Sequence, residues 1–340
     1  MSQVATGNGA APLLEVESLV TRYPVPRGFV AAVTRRPRSV VHAVEGVSFT
    51  LREGEMLALV GESGCGKTTT AHTVLRLIEP DSGAIRFEGR DITRLGPREL
   101  RPLRREMQLI YQDPYESLDP RFRVSATVEE PLLVHGLGGS KEERRGRVLE
   151  ALQRAGLTPP ELYVDRFPHE LSGGQRQRVA IAASLVLNPK LLLADEPVSM
   201  LDVSVRAGVL RLLDGLRQEG LGILMITHDL STAAHFANRI AVMYLGRIVE
   251  EGPAREVVRN PQHPYTKALL SVVPKRDPHE RSRPQILQGE TPDPIHIPVG
   301  CRFHPRCPIA IPECKQVDPE LRRTAGSQSP EHRAACIRAW

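Results

Sequence analysis

Apolar and polar positions alternate from Leu14 to Arg22, ending at Tyr23-Pro24, and this period of two predicts an edge strand. An unbroken apolar run, Met56 to Val60, predicts a buried strand. Thr68 to Ile78 then reads as a helix, stopped at Glu79-Pro80-Asp81-Ser82-Gly83. Met107 to Tyr111 reads as another short strand, ending at Gln112. From Ser125 to about Leu187 the pattern turns helical. There Ser140-Lys141-Glu142-Glu143 has the form of a capping box, and Val148, Leu149 and Leu152 follow on one face. Leu191 to Ala194 is a fully apolar strand leading to Asp195-Glu196. Asp202 is placed to cap a helix carrying Val205, Val209, Leu212, Leu213 and Leu216, ended by Gly220. Leu221 to Ile226 is again an apolar strand, with Thr227 and His228 at its carboxyl end. Strands interleaved with helices, and polar residues at strand ends, predict a mainly parallel α/β sheet with its site at the carboxyl edge.

Composition changes this picture at two places. The segment from Val25 to Val41 is basic and rich in Pro and Gly, which predicts a loop or hairpin insertion. Beyond Val273, the last 67 residues hold eleven of the 29 prolines and four of the five cysteines, and predict a separate, loop-rich module. The 340 residues suffice for one large domain plus this appendage. The longest apolar stretch, Val179 to Leu187, has nine residues with one serine inside, whereas a membrane span needs about twenty. Met1 to Pro12 shows neither a basic region nor an apolar core of the secretory kind, so the expectation is a cytosolic protein that reaches a membrane only through partners. Net charge is +5, with arginine runs at Arg35-Arg36-Pro37-Arg38, Arg101 to Arg105 and Arg144-Arg145-Gly146-Arg147. With seven Phe, one Trp and no basic-aromatic interleaving, these read as solvated faces and nucleotide attraction, not as a nucleic-acid surface.

The chemistry begins at Gly61-Glu62-Ser63-Gly64-Cys65-Gly66-Lys67-Thr68, the G-x4-G-K-T phosphate-binding loop, between a predicted strand and a predicted helix. Chance would give this pattern in roughly one such chain in a hundred. Backbone amides from Gly61 to Thr69, those of Ser63, Gly64, Cys65 and Gly66 among them, would cradle the phosphates of a nucleotide. Lys67 would reach the β- and γ-phosphates, and the Thr68 hydroxyl would hold Mg2+. Asp195, at the end of an apolar strand, fits a second Mg2+ ligand, and Glu196 is placed to orient and deprotonate the attacking water. Leu171-Ser172-Gly173-Gly174-Gln175 opens a helix with free N–H groups, a second anion site far from the first in sequence. Two phosphate sites in one domain suggest that the second grips a nucleotide held by a partner.

That arrangement resembles the ATP-binding cassette (ABC) family, whose signature is LSGGQ. The resemblance implies a P-loop NTPase of the ABC ATPase type, with an antiparallel β subdomain, a helical signature subdomain and a Cys/Pro-rich C-terminal extension. It implies a disordered tail at 1–12, a nucleotide-binding domain at 13–273 with its helical subdomain at about 113–187, and the extension at 274–340. By the same resemblance Gln112 is the Q-loop residue that contacts Mg2+ and senses the transmembrane partner. Asp202 belongs to the D-loop, where Met200 replaces the usual alanine, and His228 is the switch histidine at the γ-phosphate. Tyr23 is the aromatic that stacks on adenine, with Phe29 a rival. Every catalytic motif stands intact, which implies an active ATPase pairing with itself or a sister subunit.

Four further stretches, Gln112-Asp113-Pro114-Tyr115-Glu116-Ser117-Leu118-Asp119-Pro120-Arg121, Val128 to Leu132, Gln262 to Leu270 and Gly300 to Pro308, resemble the dipeptide/oligopeptide importer ATPases, of the F type. This implies two transmembrane permease subunits, a second ABC ATPase subunit and an extracytoplasmic peptide-binding protein, with the chain at the cytoplasmic face of the membrane. Nickel importers share much of the pattern. Non-transport cassettes of translation or DNA repair usually carry tandem cassettes or long coiled-coil insertions, absent from this sequence; a redox sensor built on the cysteines is a third reading. Cys301, Cys307, Cys314 and Cys336 form C-x5-C-x6-C-x21-C without the C-x2-C pair of a zinc ribbon. Four such thiolates suit a [4Fe–4S] cluster, which some relatives in this importer family carry; zinc, free thiols and disulfides stay open. Cys65, in the P-loop, reads as packing.

Overall fold

A computed structural model describes residues 11–25, 39–113, 117–273, 285, 287, 289–327 and 329–339. Most of the predicted N-terminal tail, the body of the basic insertion with Phe29, and Tyr115 lie outside the described residues. Strand β1 (Leu14–Pro24) pairs antiparallel with β2 (Val40–Leu51), and β3 (Met56–Val60) leads through the P-loop into α1 (Lys67–Val74). Strands β4 (Ser82–Phe87) and β5 (Arg90–Asp91) complete a four-stranded antiparallel sheet in the order β2-β1-β4-β5. β1 is therefore not the edge strand expected from its alternation: Leu14 faces Leu51 on one side and Phe87 on the other. Alternation records that one face of a strand is buried, and carries no information on how many neighbours it has.

The chain continues through α2 (Pro97–Glu106), β6 (Met107–Ile110), α3 (Val124–Val134), α4 (Lys141–Arg154) and α5 (Gly173–Leu185). Next come β7 (Leu191–Asp195), α6 (Val203–Gln218), β8 (Gly222–Thr227), α7 (Leu230–Phe236), β9 (Arg239–Tyr244) and β10 (Arg247–Pro253). After α8 (Ala254–Arg259) and α9 (Pro264–Ser271), two short strands close the order, β11 (Arg322–Arg323) and β12 (Arg333–Ala334). The main sheet runs β11-β12-β10-β9-β3-β8-β7-β6, with β9, β3, β8, β7 and β6 parallel. Its central strands are apolar throughout because each feeds two cores. Leu57 and Leu59 of β3 join the layer beneath the antiparallel sheet, while Met56, Ala58 and Val60 face the helical side.

Two expected caps differ in detail. The Ser140 hydroxyl accepts from the Glu143 amide at 3.1 Å, half of the predicted box. Asp202 does stand at the N-cap of α6, but its side chain makes no cap hydrogen bond. A complete reciprocal box occurs at Ser172 instead, described with the site below. Among the described residues no helix is long and apolar enough to cross a membrane.

The proline-rich tail, expected as a separate module, is stitched to the cassette. β12 pairs with β10, Glu250 opposite Ala334 and Glu251 opposite Arg333, so the tail extends the main sheet. Phe303 is fully buried, with ring centroids 5.2 Å from Tyr244 and 5.5 Å from Tyr265. The Glu250 carboxylate, wholly buried, accepts from the amides of Gln262 and His263 at 2.7 and 2.9 Å, and lies 2.7 Å from His332 Nε2. Prolines forbid long regular elements, yet two short strands and one aromatic anchor suffice to bury the tail's inner side.

Candidate nucleotide site

The parallel register sets the carboxyl ends of four strands at one level: Val60 opposite Thr227, Asp195 opposite Ile226, Ile110 opposite Ala194. Every loop leaving these ends opens into one cleft. Gly66 begins α1 at φ 105°, and a β-carbon there would come 2.1 Å from the Ala43 carbonyl oxygen, so only glycine fits. Ser63, Gly64, Gly66, Lys67, Thr68 and Thr69 line the cleft, while Gly61 and Cys65 are buried beneath it. Lys67 is buried, and its Nζ donates to the carbonyl oxygens of Gly61 and Glu62 at 2.8 and 2.9 Å. Burial pushes the Cys65 thiol up, the nearby Lys67 only partly opposing it, which agrees with a packing role.

Beside the loop stands the acidic pair. Burial pushes the Asp195 carboxyl up, a hydrogen bond with Thr68 opposes this, and the charge of Glu196 adds to it. Among the described residues Asp195 Oδ1 is buried with no hydrogen-bond partner. An orphaned carboxylate oxygen beside a threonine hydroxyl fits a hard divalent cation such as Mg2+. Glu196 takes φ 44°, a strained left-handed conformation for a residue with a side chain, held by its amide bond to the Ile226 carbonyl at 3.0 Å. Its carboxylate meets two polar side chains from neighbouring strand ends. His228 Nδ1 lies 3.1 Å from Oε1, and Gln112 Nε2 donates to Oε2 at 3.2 Å. Tyr23, Gln112, Glu196 and His228 all line the cleft with the P-loop.

The signature segment is not brought into this cleft: Ser172, Gly173, Gly174, Gln175 and Asp202 are absent from its lining. It is nevertheless well formed. The Ser172 hydroxyl accepts from the Gln175 amide at 3.3 Å, and Gln175 Oε1 accepts from the Ser172 amide at 3.0 Å. Gly174 is required by close approach, since a β-carbon would lie 2.2 Å from Val205 Cγ1 of α6.

Cys301, Cys307, Cys314 and Cys336 line one pocket together with Phe303 and His304, all four as free thiols. Burial pushes Cys301 up to about 11, with the three other sulfurs adding, and burial likewise raises Cys307 and Cys336. The donor set thus converges, but among the described residues no three His, Cys, Asp or Glu side chains are arranged to hold a metal ion. Of the residues lining the nucleotide cleft, Ser199 and Met200 enter the sequence reading only as part of the D-loop, and Val41, Ala43 and Pro294 are not pointed to by it. Pro294 comes from the tail, its carbonyl accepting from the His42 amide at 3.0 Å, a contact across more than two hundred residues that no local pattern signals.

The pattern of the family described as ABC transporter matches residues 44–199, and that of the oligopeptide/dipeptide transporter C-terminal region matches residues 249–314. The second match begins inside β10, where the tail joins the sheet. The oligopeptide transport ATP-binding protein AppF of Bacillus subtilis is 45% identical over 329 residues, 95% of this chain and 96% of that one. The dipeptide transport ATP-binding protein DppF of Escherichia coli is 44% identical over 316 residues, 93% of this chain and 92% of that one. Among solved structures, the dimeric post-hydrolysis state of the ATP-binding cassette MJ0796, bound to ADP and Pi, superposes with a TM-score of 0.62 at 31% identity, over 71% of this chain and 99% of that one. With the P-loop, acidic pair and signature helix assembled as described, the chain belongs to the ABC transporter ATPases, in the group of oligopeptide/dipeptide transport ATP-binding proteins.

Proposed function

We propose that the chain is the ATP-hydrolysing subunit of a membrane importer that takes up dipeptides or oligopeptides, working at the cytoplasmic face through two permease subunits, with an extracytoplasmic peptide-binding protein supplying substrate. The observation that carries the catalytic part is the Glu196 carboxylate held between Gln112 and His228, in the cleft that Lys67 also lines. The substrate class is supported by what the relatives' names say they transport and by the match of the C-terminal region.

In this reading Tyr23 stacks on the adenine, the amides from Gly61 to Thr69 hold the phosphates, and Lys67 exchanges its carbonyl partners for β- and γ-phosphate oxygens. Thr68 and Asp195 would hold Mg2+, with Gln112 at its margin, and the ion supplies charge neutralisation at the phosphates. Glu196 orients the attacking water and takes its proton, while His228 fixes the carboxylate and reaches the γ-phosphate. Ser172, Gly173, Gly174 and Gln175 offer helix N-terminal amides to the nucleotide of a second ATPase subunit, with Asp202 beside that interface. Their place outside the chain's own cleft supports this division. ATP then closes the dimer, and residues around Gln112 pass closure to the permeases.

We also propose that Cys301, Cys307, Cys314 and Cys336 hold a [4Fe–4S] cluster, zinc being the alternative. Its support is their convergence on one pocket, and loading requires the tail segments to draw the sulfurs closer than they stand. Iron and zinc analysis with visible absorption, on protein purified without oxygen, tests it: colourless, iron-free protein ends the cluster reading. For the transport function, the chain should copurify from detergent-solubilised membranes with two hydrophobic permeases. ATPase activity stimulated by nucleic acid, with no membrane partner, would overturn the importer reading.

A further inference from the structure

Glu62 follows the first glycine of the P-loop, so its carboxylate sits on a loop that must receive a polyanion. The group that balances it comes from the tail. Arg306 Nη1 donates to Glu62 Oε2 at 2.8 Å and Nη2 to Oε1 at 3.3 Å, a two-pronged pair. The Thr291 hydroxyl, also from the tail, donates to Oε2 at 2.9 Å. The Arg306 side chain is only 9% exposed, and its guanidinium carbon lies 6.0 Å from the centre of the Tyr244 ring. The Glu62 backbone is tied as well: its amide donates to the Tyr265 hydroxyl at 2.9 Å, and Tyr265 packs on Phe303 of the same tail segment. Backbone and side chain of one P-loop residue are thus both held by contacts that depend on segment 301–307.

We propose that Arg306 is a positioning residue for the nucleotide loop: by cancelling the Glu62 charge and fixing its direction, it sets the affinity of the loop for ATP. The tail is then a control point on nucleotide binding, because any rearrangement that withdraws Arg306 leaves an uncompensated carboxylate on the loop that receives the phosphates. This inference rests on ATP binding at the P-loop, and the two can fail separately.

The test uses the full chain with three variants, Arg306→Met, Glu62→Gln and the double, read by fluorescent-nucleotide affinity and by KM against kcat. Arg306→Met should raise Kd and KM for ATP about tenfold, the scale of one uncompensated charge near a partly exposed anion site, with a much smaller change in kcat. Adding Glu62→Gln should bring KM back toward wild type, which a merely structural role of Arg306 does not predict. Glu62→Gln alone preserves the shape of the contact and should lower KM severalfold; this arm stands even where Arg306→Met does not fold. An unchanged KM in Arg306→Met, a rise that Glu62→Gln fails to relieve, or no fall in Glu62→Gln alone would overturn the proposal. Undiminished ATP binding in Lys67→Ala would instead overturn the nucleotide reading itself.

Discussion

His228 Nδ1 lies 3.1 Å from Glu196 Oε1, and the other oxygen of that carboxylate accepts from Gln112 at 3.2 Å. Three strand ends therefore fix one carboxylate, on a residue whose left-handed backbone aims it into the cleft. Glu196→Gln is nearly isosteric and can keep both contacts, yet it cannot take a proton. ATP binding should persist while turnover falls by about two to four orders of magnitude, measured by single-turnover hydrolysis. Near-normal hydrolysis would remove Glu196 from the role of base.

The signature helix depends on a close approach to α6. Gly174→Ala would place its methyl 2.2 Å from Val205 Cγ1, so that the Val205 side chain must turn aside or the two helices must separate. The expected cost is about 1–3 kcal/mol, seen in chemical denaturation. Since the next nearest atom, Val205 Cβ, stands at 3.5 Å, Val205→Ala in the same chain should recover most of that loss. A double variant no more stable than Gly174→Ala would show that the contact is not the cause.

Glu250 joins β10, the turn before α9 and the tail by three hydrogen-bonding contacts in a fully buried setting. Glu250→Ala would strand two amides and His332, costing about 3–5 kcal/mol. Amide hydrogen exchange should accelerate first in β12 and β11, before the parallel strands. Uniform acceleration through the whole sheet would argue against a local tie.

Asp229 follows His228 and caps α7, accepting from the amides of Ser231 and Thr232. Burial alone would raise its carboxyl, but the hydrogen bonds from Ser231 and Thr232 outweigh burial and hold it below the ordinary value. A carboxyl depressed on folding adds stability above its unfolded value near 4 and loses it as pH falls through the lower folded value. Asp229→Ala should thus cost about 1 kcal/mol at neutral pH, and less under acid, as followed by Tm from pH 7 to 3. Equal losses at both ends of that range would contradict the assignment.

Much of the nucleotide cleft was legible in the chain. The apolar runs Met56–Val60, Leu191–Ala194 and Leu221–Ile226 mark strands buried on both faces, and the residues just after them line or underlie the cleft. Those signals are local, because a strand, its turn and the following helix are contiguous. The alternation from Leu14 to Arg22 points to an edge strand, and β1 is an internal one, for the converse reason: partner number is a non-local property. The composition break at Val273 suggested an independent tail, because proline content reports the absence of long elements and not the burial of short ones.

The P-loop, the acidic pair and the signature helix are written in short stretches of chain, since their form follows from spacing, glycine conformations and strand-end polarity within a few residues. Folding in three dimensions is what makes Gln112 and His228 share one carboxylate, leaves the signature outside the cleft, and brings the tail's Arg306 to Glu62. Each of these joins residues far apart in the chain, where strand order and helix contact, not sequence distance, set which side chains meet.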